Sequence, residues 1–250
     1  MTHIDRDGHV RTGGIVLAVK GVKILGISGS PRVNGNTSML VKQALSSAAE
    51  IEGVETAYAD LSGDLKPCID CDKCPVDPPD KYCIFGDKIS RIYQMMIDAD
   101  GIILASPAYF GTVTAQMKML MDRCRPLGRA GSLLRYKVGG AISVGACRSG
   151  GQEKALGTIV DHFILTGMLP VGLTRILQVG VSGLAWREGN ITDDSWRAEF
   201  LPEGEVTWVH QCRELGRSVA AVSMMVAAGR KVVDPGAYVE GWKIDKNAIH

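Results

Sequence analysis

Four cysteines crowd into one stretch of this chain: Cys68, Cys71, Cys74 and Cys83. The first three recur at every third position within the run PCIDCDKCP. This C-x2-C-x2-C spacing is typical of loops that wrap a cubic iron–sulfur cluster, because each of the separated irons takes one thiolate. One zinc ion is served less well, since structural zinc sites usually draw their ligands from two separated pairs. The spacing therefore predicts an electron-transfer centre.

The fourth cysteine, Cys83, follows Cys74 after an excursion that contains Pro78 and Pro79. The two prolines keep this stretch out of helix and strand, which suits a loop that folds back over a metal centre. The chain has 7 cysteines, an odd number, and most of them lie in this one loop. A reducing compartment with metal-bound thiolates explains this usage better than a disulfide framework does.

Charge and hydropathy exclude several classes of function. A formal net charge of +1, without long basic runs, argues against nucleic acid as the partner. No apolar stretch approaches the roughly 20 residues of a membrane span, and the apolar run at 14–19 is too short for a signal peptide. We therefore expect a cytoplasmic protein with no membrane partner.

A glycine- and serine-rich turn, SGSPRVNGNTS, follows the first apolar run of the chain. Its two glycines let the backbone approach an anion, Arg32 adds a positive charge, and the helix that starts near Thr37 favours negative charge at its end. The hydroxyls that can donate belong to Ser30, Thr37 and Ser38. Neither a dinucleotide fingerprint nor a G-K-[ST] motif is present, so one terminal phosphate, as in FMN, fits best.

These residues must be positioned by an alternation of strands and helices. Apolar runs typical of buried strands alternate with helical patterns, which predicts parallel pairing and a three-layer α/β sandwich. The predicted strands are 23–28, 54–61, 101–106, 138–144 and about 170–179; the predicted helices are 37–50, 87–99, about 114–123 and 153–167. Ligands of such sheets bind at the carboxyl ends of the strands.

Two further loops are expected at that edge. The run SPAYFGT offers Tyr109 and Phe110 as faces against a flat ring, with free backbone groups from Ala108 to Gly111. The run GACRSGGQE offers Arg148 and Gln152 near the place where a flavin pyrimidine needs a donor. Each loop alone also fits an ordinary packed or flexible connection.

The chain divides into a core and two appendages. We predict an N-terminal extension at 1–22, a core domain at 23–179 with the cysteine loop at 67–83, and a C-terminal extension at 180–250. A long helix is predicted from 203 to about 229, with Pro202 just before its first turn. It either forms a subunit contact or covers its own sheet, and the sequence leaves both open.

Four runs together resemble a known family: KILGISGSPRVNGNT, PCIDCDKCP, DGIILASPAYFGTVTAQMKMLMDR and SVGACRSGGQEKAL. The chain is similar, over roughly 22–172, to the iron–sulfur flavoproteins, a branch of the flavodoxin-like NAD(P)H-dependent FMN reductase superfamily. The resemblance implies a flavodoxin-like sandwich with a five-stranded parallel sheet.

The resemblance also implies site residues. The FMN phosphate would be held by Ser28, Ser30, Arg32, Asn36, Thr37 and Ser38. The isoalloxazine edge would contact Pro107, Ala108, Tyr109, Phe110 and Gly111, and its pyrimidine side Arg148, Gly150, Gly151 and Gln152. A [4Fe–4S] cluster would be bound by Cys68, Cys71, Cys74 and Cys83.

The activity that the resemblance implies is electron transfer from a low-potential donor such as ferredoxin, through the cluster to FMN, and on to a small-molecule acceptor. It also implies a homodimer or homotetramer. Two alternatives stay open at this point. One is an NAD(P)H-dependent FMN or quinone reductase without a functional cluster, and the other is a nonenzymatic redox sensor with a metal-stapled loop. We assign no role to Cys124, Cys147, Cys212 or the histidines.

Overall fold

The computed structural model describes residues 3–4, 10–11, 21–75, 81–147, 149–173, 178–184 and 208–233. The strands are β1 His3–Ile4, β2 Val10–Arg11, β3 Val22–Ser28, β4 Val54–Asp60, β5 Gly101–Pro107, β6 Val138–Gly145, β7 Leu169–Val171 and β8 Val181–Leu184. The helices are α1 Asn36–Ala49, α2 Lys88–Asp98, α3 Ala115–Asp122, α4 Arg125–Arg129, α5 Gln152–Leu165 and α6 Trp208–Gly229.

The main sheet is wholly parallel, in the order β4-β3-β5-β6-β7. This order reverses at β3, where the chain crosses first to β4 and then back to β5. β7 pairs with the first half of β6, through Val138 to Gly140, and β8 pairs with its second half, through Ile142 to Gly145. The two short strands therefore share the fifth position, so the predicted five-stranded sheet is confirmed with its last strand broken in two.

Helices cover both faces of the sheet, as the alternating pattern predicts. On one face α1 and α6 pack over buried residues of the strands, among them Ile24, Ile103, Ile142 and Val181. On the other face α2, α3 and α5 pack over Ile27, Ile102, Leu104 and Ala141. Because consecutive strand residues point to opposite faces, strands buried on both sides read as continuous apolar runs.

Helix α6 lies against its own sheet and against α1. A Cβ built on Gly216 would come 2.0 Å from the carbonyl oxygen of Ala44, so the two helices approach as closely as backbones can. The hydroxyl of Ser47 donates to the carbonyl of Arg213, at 2.8 Å. Leu215 and Val219 are fully buried. Of the two roles that the sequence left open, the structure displays sheet covering, and the division at 179 leaves β8 and α6 in the same sandwich as the core.

Most predicted element boundaries agree with the structure to within two residues. The short helix α4 was not predicted. The predicted start of the last helix, 203–207, lies outside the described residues, as do most of the extension at 1–22 and residues 185–207 and 234–250 of the extension at 180–250. Among the helices that the structure describes, none is both long and apolar enough to cross a membrane.

Candidate cofactor sites

Three loops meet at the carboxyl ends of β3, β5 and β6. The amide of Gly29, just after β3, donates to the carbonyl of Ala105 at 2.7 Å. The amide of Ala108, just after β5, donates to the carbonyl of Val144 at 2.8 Å. Both bonds extend the ladder of the sheet by one step, so each loop leaves its strand beside the next. We call the loops 29–35, 107–112 and 145–151 the three-loop rim.

The first loop of the rim is organised by its own hydroxyls. Ser28 is buried and its Oγ receives hydrogen bonds from the amide of Ser30, at 3.4 Å, and from the hydroxyl of Ser38, at 3.2 Å. The Oγ of Ser30 receives one from the amide of Arg32, at 3.1 Å. Ser28 and Ser38 are therefore engaged with one another, and their role toward a phosphate stays a prediction.

The first loop places the N-terminus of α1 at the rim, and no side chain caps that terminus. The N-cap is Gly35, which has no side chain to cap the helix, and the first turn contains no acidic residue. Asn36 is half-buried, Thr37 is buried, and Arg32 is exposed beside them. The first amides of a helix lack intrahelical acceptors and carry a partial positive charge. The arrangement can hold a phosphate group.

Thr114 connects the first loop of the rim to helix α3. Its hydroxyl donates to the carbonyl of Gly29 at 2.6 Å, and its Oγ1 accepts from the amide of Met117 as the N-cap of α3. The side chain thus completes one helix and fixes the glycine that begins the first loop. Because no motif marks this long-range contact, sequence reasoning gave Thr114 no role.

The second loop is a tight hairpin turn with an aromatic tip. Tyr109 and Thr112 exchange backbone hydrogen bonds of 2.9 and 3.2 Å, and both residues between them have positive φ, 46° for Phe110 and 82° for Gly111. Such a turn favours glycine, and a bulky residue there is strained. Phe110 is fully exposed and Tyr109 nearly half-exposed. Strain of this kind concentrates where a ligand is bound, and the two aromatics, with half-buried Pro107 and Ala108, suit a flat ring.

The third loop folds around Gln152, the first residue of α5. Its amide nitrogen donates to the carbonyl of Cys147 at 2.8 Å, and only 2% of the residue is exposed. Gly151 has φ 99° and Gly150 lies against Cys147. The predicted donor Gln152 is thus placed as a support for its own loop rather than as an open contact. The predicted contact Arg148 lies outside the described residues.

The four predicted cysteines line one pocket at the surface. The pocket is partly open to solvent. Its lining includes Cys68, Cys71, Cys74, Cys83, Ile84, Phe85, Asp122, Arg123, Arg125 and Pro126. All four thiols are free. Burial raises the pKa of the Cys74 thiol, and the thiols of Cys71, Cys83 and Cys68 add to the effect while Arg125 opposes it.

The kind of donor atom in the pocket limits which metal centres it suits. Within the described part of the chain, no three His, Cys, Asp or Glu side chains come together around the position of one metal ion. A cluster of four irons instead spreads its cysteine ligands over its corners. The donor set is all sulfur, which selects iron–sulfur clusters or other soft metals. The donor set therefore suits an iron–sulfur cluster, the centre that the C-x2-C-x2-C spacing favours.

The cysteine loop contains two aspartates, and these form ion pairs with two arginines. Asp70 and Asp72 have positive φ, 48° and 52°, a conformation that Asp tolerates better than most residues. Arg125 bonds to both carboxylates, at 2.9 and 2.8 Å, and Arg129 bonds to Asp72 at 2.9 Å. These exposed pairs each contribute little to stability, but together they fix the loop over α4.

A buried arginine closes the pocket from inside. Arg123 follows α3 directly, only 2% of it is exposed, and its guanidinium bonds to Asp87 and approaches the sulfur of Cys83. Helix α3 therefore begins with Thr114 at the three-loop rim and ends with Arg123 at the cysteine pocket. Sequence reasoning found the MKMLMDR run but could not show that its arginine is buried, because burial of one charge leaves no pattern in the sequence.

The chain is similar in sequence to a known family and to individual proteins. The sequence profile of the NADPH-dependent FMN reductase family matches residues 22–176. An iron–sulfur flavoprotein of Methanocaldococcus jannaschii is 42% identical over 207 residues, which is 82% of this chain and 99% of that protein.

Solved structures with the same fold are more distant in sequence. A flavodoxin, WrbA-like protein from Agrobacterium tumefaciens superposes with a TM-score of 0.54 at 18% identity, over 82% of this chain and 98% of that one. RosB superposes with a TM-score of 0.59 at 15% identity, over 92% and 89%. At identities this low, the similarity shows only the fold of this chain, which is flavodoxin-like.

Proposed function

Since the chain belongs to the iron–sulfur flavoprotein branch of the NADPH-dependent FMN reductase family, we propose that it holds FMN and a [4Fe–4S] cluster and carries electrons from ferredoxin or a similar low-potential donor to a small-molecule acceptor. Membership makes the protein a flavin-dependent oxidoreductase. The observation that carries the cluster is the single pocket lined by four free thiols.

FMN would lie along the three-loop rim. Its phosphate would meet the uncapped N-terminus of α1 beside Ser30, Arg32, Asn36 and Thr37, where the helix amides and the guanidinium favour a dianion. Its ring would lie against the turn of Tyr109 and Phe110. Gln152 keeps the third loop in shape through the carbonyl of Cys147. The chain thereby binds the phosphate with charge and the ring with apolar surface.

The cluster would be held by Cys68, Cys71, Cys74 and Cys83. The charged pairs of Arg125 and Arg129 hold the first three in place, and Arg123 approaches the fourth. When bound, a four-iron cluster exchanges single electrons and FMN exchanges one or two, so two donor molecules would supply the pair of electrons that a quinone or peroxide takes up with two protons.

Metal and flavin content test the proposal directly. Protein purified without oxygen is expected to contain about four iron and four sulfide per FMN, in keeping with a cubic cluster on four cysteines. Cys71→Ser should lose most of the iron and keep FMN, because the rim does not depend on the cysteine loop. Cys147→Ser, a matched change at an exposed thiol outside the pocket, should keep the iron. Flavin without iron in the unaltered protein would overturn the cluster.

A second candidate follows from the family to which the chain belongs: NAD(P)H as the reductant, with a quinone or free FMN as the acceptor. In that case nicotinamide would stack on the open face of the flavin beside Phe110. Stopped-flow reduction separates the two candidates. Rapid bleaching of the flavin by NADPH would support the second, whereas inertness toward NADPH and prompt reduction by ferredoxin would support the first. If a folded Cys71→Ser variant still accepted electrons from ferredoxin, the cluster would not be part of the route from ferredoxin to the flavin.

Three further expectations stay predictions: a homodimer or homotetramer, a cytoplasmic location, and no nucleic-acid partner. Sedimentation of the FMN-loaded protein tests the first. Helix α6 packs its buried side against its own sheet. A subunit contact through this helix would therefore have to use the opposite side, which bears Met225, a residue that is 69% exposed.

A further inference from the structure

Arg123 is an unusual arginine, because its side chain is almost completely withdrawn from water. Only 1% of the side chain is exposed, against 13% for its partner Asp87. A buried charge is retained only where it is paired and hydrogen-bonded, since its transfer from water costs several kcal/mol. The position of Arg123 at the wall of the cysteine pocket raises the question of what it is for.

The guanidinium joins both ends of the cysteine loop. Nη1 donates to the carbonyl of Lys66, at 3.0 Å, just before the loop begins. The same nitrogen and Nη2 form a two-pronged pair with the carboxylate of Asp87, at 2.5 and 2.9 Å, just after the loop ends. The ring of Phe85 lies 5.2 Å from the guanidinium carbon. One residue after α3 therefore ties the entry of the loop to its exit.

The same guanidinium also reaches a predicted ligand of the cluster. Nη2 donates to the sulfur of Cys83 at 3.5 Å, within the range of a hydrogen bond to sulfur. The Nε–H group is buried and has no partner among the described residues. Buried donors are nearly always satisfied, and Arg123 lines the pocket, so an acceptor bound there could satisfy this group. A cluster with its own sulfide atoms would supply one.

Both charges are satisfied within the pair. Arginine stays protonated in proteins, and its two-pronged pair with Asp87 gives each charge a hydrogen-bonded partner. Burial raises the pKa of Asp87, but the hydrogen bonds from Arg123 and from the amide of Lys66, with the charge of Arg123, together lower it. A permanent positive group, itself buried, thus stands beside the sulfur of Cys83.

We propose that Arg123 is a positioning residue for the cluster: it fixes Cys83 as the fourth ligand and, through its charge and its N–H group on sulfur, it raises the midpoint potential. The inference rests on the proposed function, since it needs a cluster on the four cysteines. Hydrogen bonds to cluster sulfur and nearby charge are the means by which proteins set such potentials. The extra electron of the reduced cluster is stabilised by a neighbouring cation.

Two variants test the inference. Arg123→Lys keeps the charge but loses the fork, and Arg123→Gln with Asp87→Asn removes the ion pair without leaving an unpaired buried charge. Arg217→Gln is the matched control, because it removes an exposed, ion-paired arginine on α6 that takes no part in the cysteine loop. Iron release to a ferrous chelator, an EPR-monitored redox titration and thermal unfolding are measured on all four proteins.

For the double variant we expect a more negative midpoint potential and iron release at least about tenfold faster, the usual size of an outer-shell effect. Arg123→Lys should release iron faster with a smaller change in potential, and Arg217→Gln should leave both readouts unchanged. A lower unfolding temperature with an unchanged potential would mean that Arg123 only stabilises the loop. That result would overturn the inference, and the proposed function would stand. Absence of iron from the unaltered protein would overturn both.

Discussion

Gly111 and Gly151 lie against one another at the rim of the sheet: a Cβ built on Gly151 would come 2.5 Å from the Cα of Gly111. The two glycines belong to different loops, one after β5 and one after β6. Each has positive φ, at 82° and 99°. Their contact fixes the aromatic turn relative to the loop that Gln152 supports, so two of the three loops of the rim form one unit.

Gly151→Ala should therefore damage both stability and flavin binding. Alanine at this φ costs about 1 to 2 kcal/mol of strain, and its methyl group would push the turn of Phe110 outward. We expect a lower free energy of unfolding in urea and weaker FMN binding by fluorescence titration. Gly157→Ala is the control, because it lies within α5 with no atom within 4 Å and should stabilise by about 0.5 to 1 kcal/mol. Unchanged FMN affinity in Gly151→Ala would contradict the proposed position of the ring.

Thr114→Val should loosen the phosphate loop. The change removes the N-cap of α3, at a cost of about 1 kcal/mol, and it also removes the donor to the carbonyl of Gly29. We expect a weaker affinity for FMN, measured by equilibrium titration. Thr114→Ser keeps the hydroxyl and should bind FMN as the unaltered protein does. Equal loss in both variants would mean that the methyl group, not the hydrogen bond, supports the loop.

Gly216→Ala should separate α6 from α1. The added methyl group would lie 2.0 Å from the carbonyl of Ala44 and 2.7 Å from the hydroxyl of Ser47, so the helices must move apart. Overpacking of this kind costs about 1 to 3 kcal/mol, more than the helix propensity of alanine returns. Urea unfolding measures the loss. Gly229→Ala, at the open end of the same helix, should be neutral or stabilising, and a similar loss there would exclude the helix contact as the cause.

His162 should make the protein less stable at mildly acidic pH. Burial lowers the pKa of this side chain on α5 to about 4 from 6.5; Asp122 on α3 opposes the shift and Lys118 adds to it. Between these two values the unfolded chain binds a proton that the folded protein does not. Stability is therefore lost as pH falls from 6.5 toward 4.

The expected loss from this group between pH 7 and pH 5 is about 2 kcal/mol. His162→Gln should remove that part of the pH dependence, seen as a smaller difference between the urea unfolding free energies at the two pH values. His210→Gln, at an exposed position on α6, should retain it. The same pH dependence in both variants would assign the effect to other groups.

Much of the fold was predictable because its signals are local. Apolar runs such as 101–106 mark strands buried on both faces, and the glycine- and serine-rich turn marks the end of the first strand. The cysteine spacing predicted which four residues share a pocket, and the structure brings all four to one. The break between β7 and β8 was not predictable, because pairing with successive halves of β6 depends on a register that no local pattern encodes.

The supports of the two sites were missed for a different reason. Thr114 and Gly29 are far apart in the chain, as are Arg123 and Cys83, and each contact exists only after the helices pack. Gln152 was predicted as an open donor, whereas burial turns it toward the carbonyl of Cys147. Sequence spacing predicted the groups that perform chemistry, and it was silent about the groups that hold them.

Helix α3 limits where this chain can change in length. It separates Thr114 from Arg123 by nine residue steps, about 13.5 Å, and each inserted residue would turn the far end by about 100°. One insertion or deletion would therefore carry the guanidinium away from Asp87. Between Cys74 and Cys83 the described contacts come from separate arginines, Arg125 on the run before Cys74 and Arg123 on Cys83, so a change of length there turns neither guanidinium. Relatives that keep both sites should vary in length there and be invariant in length along α3.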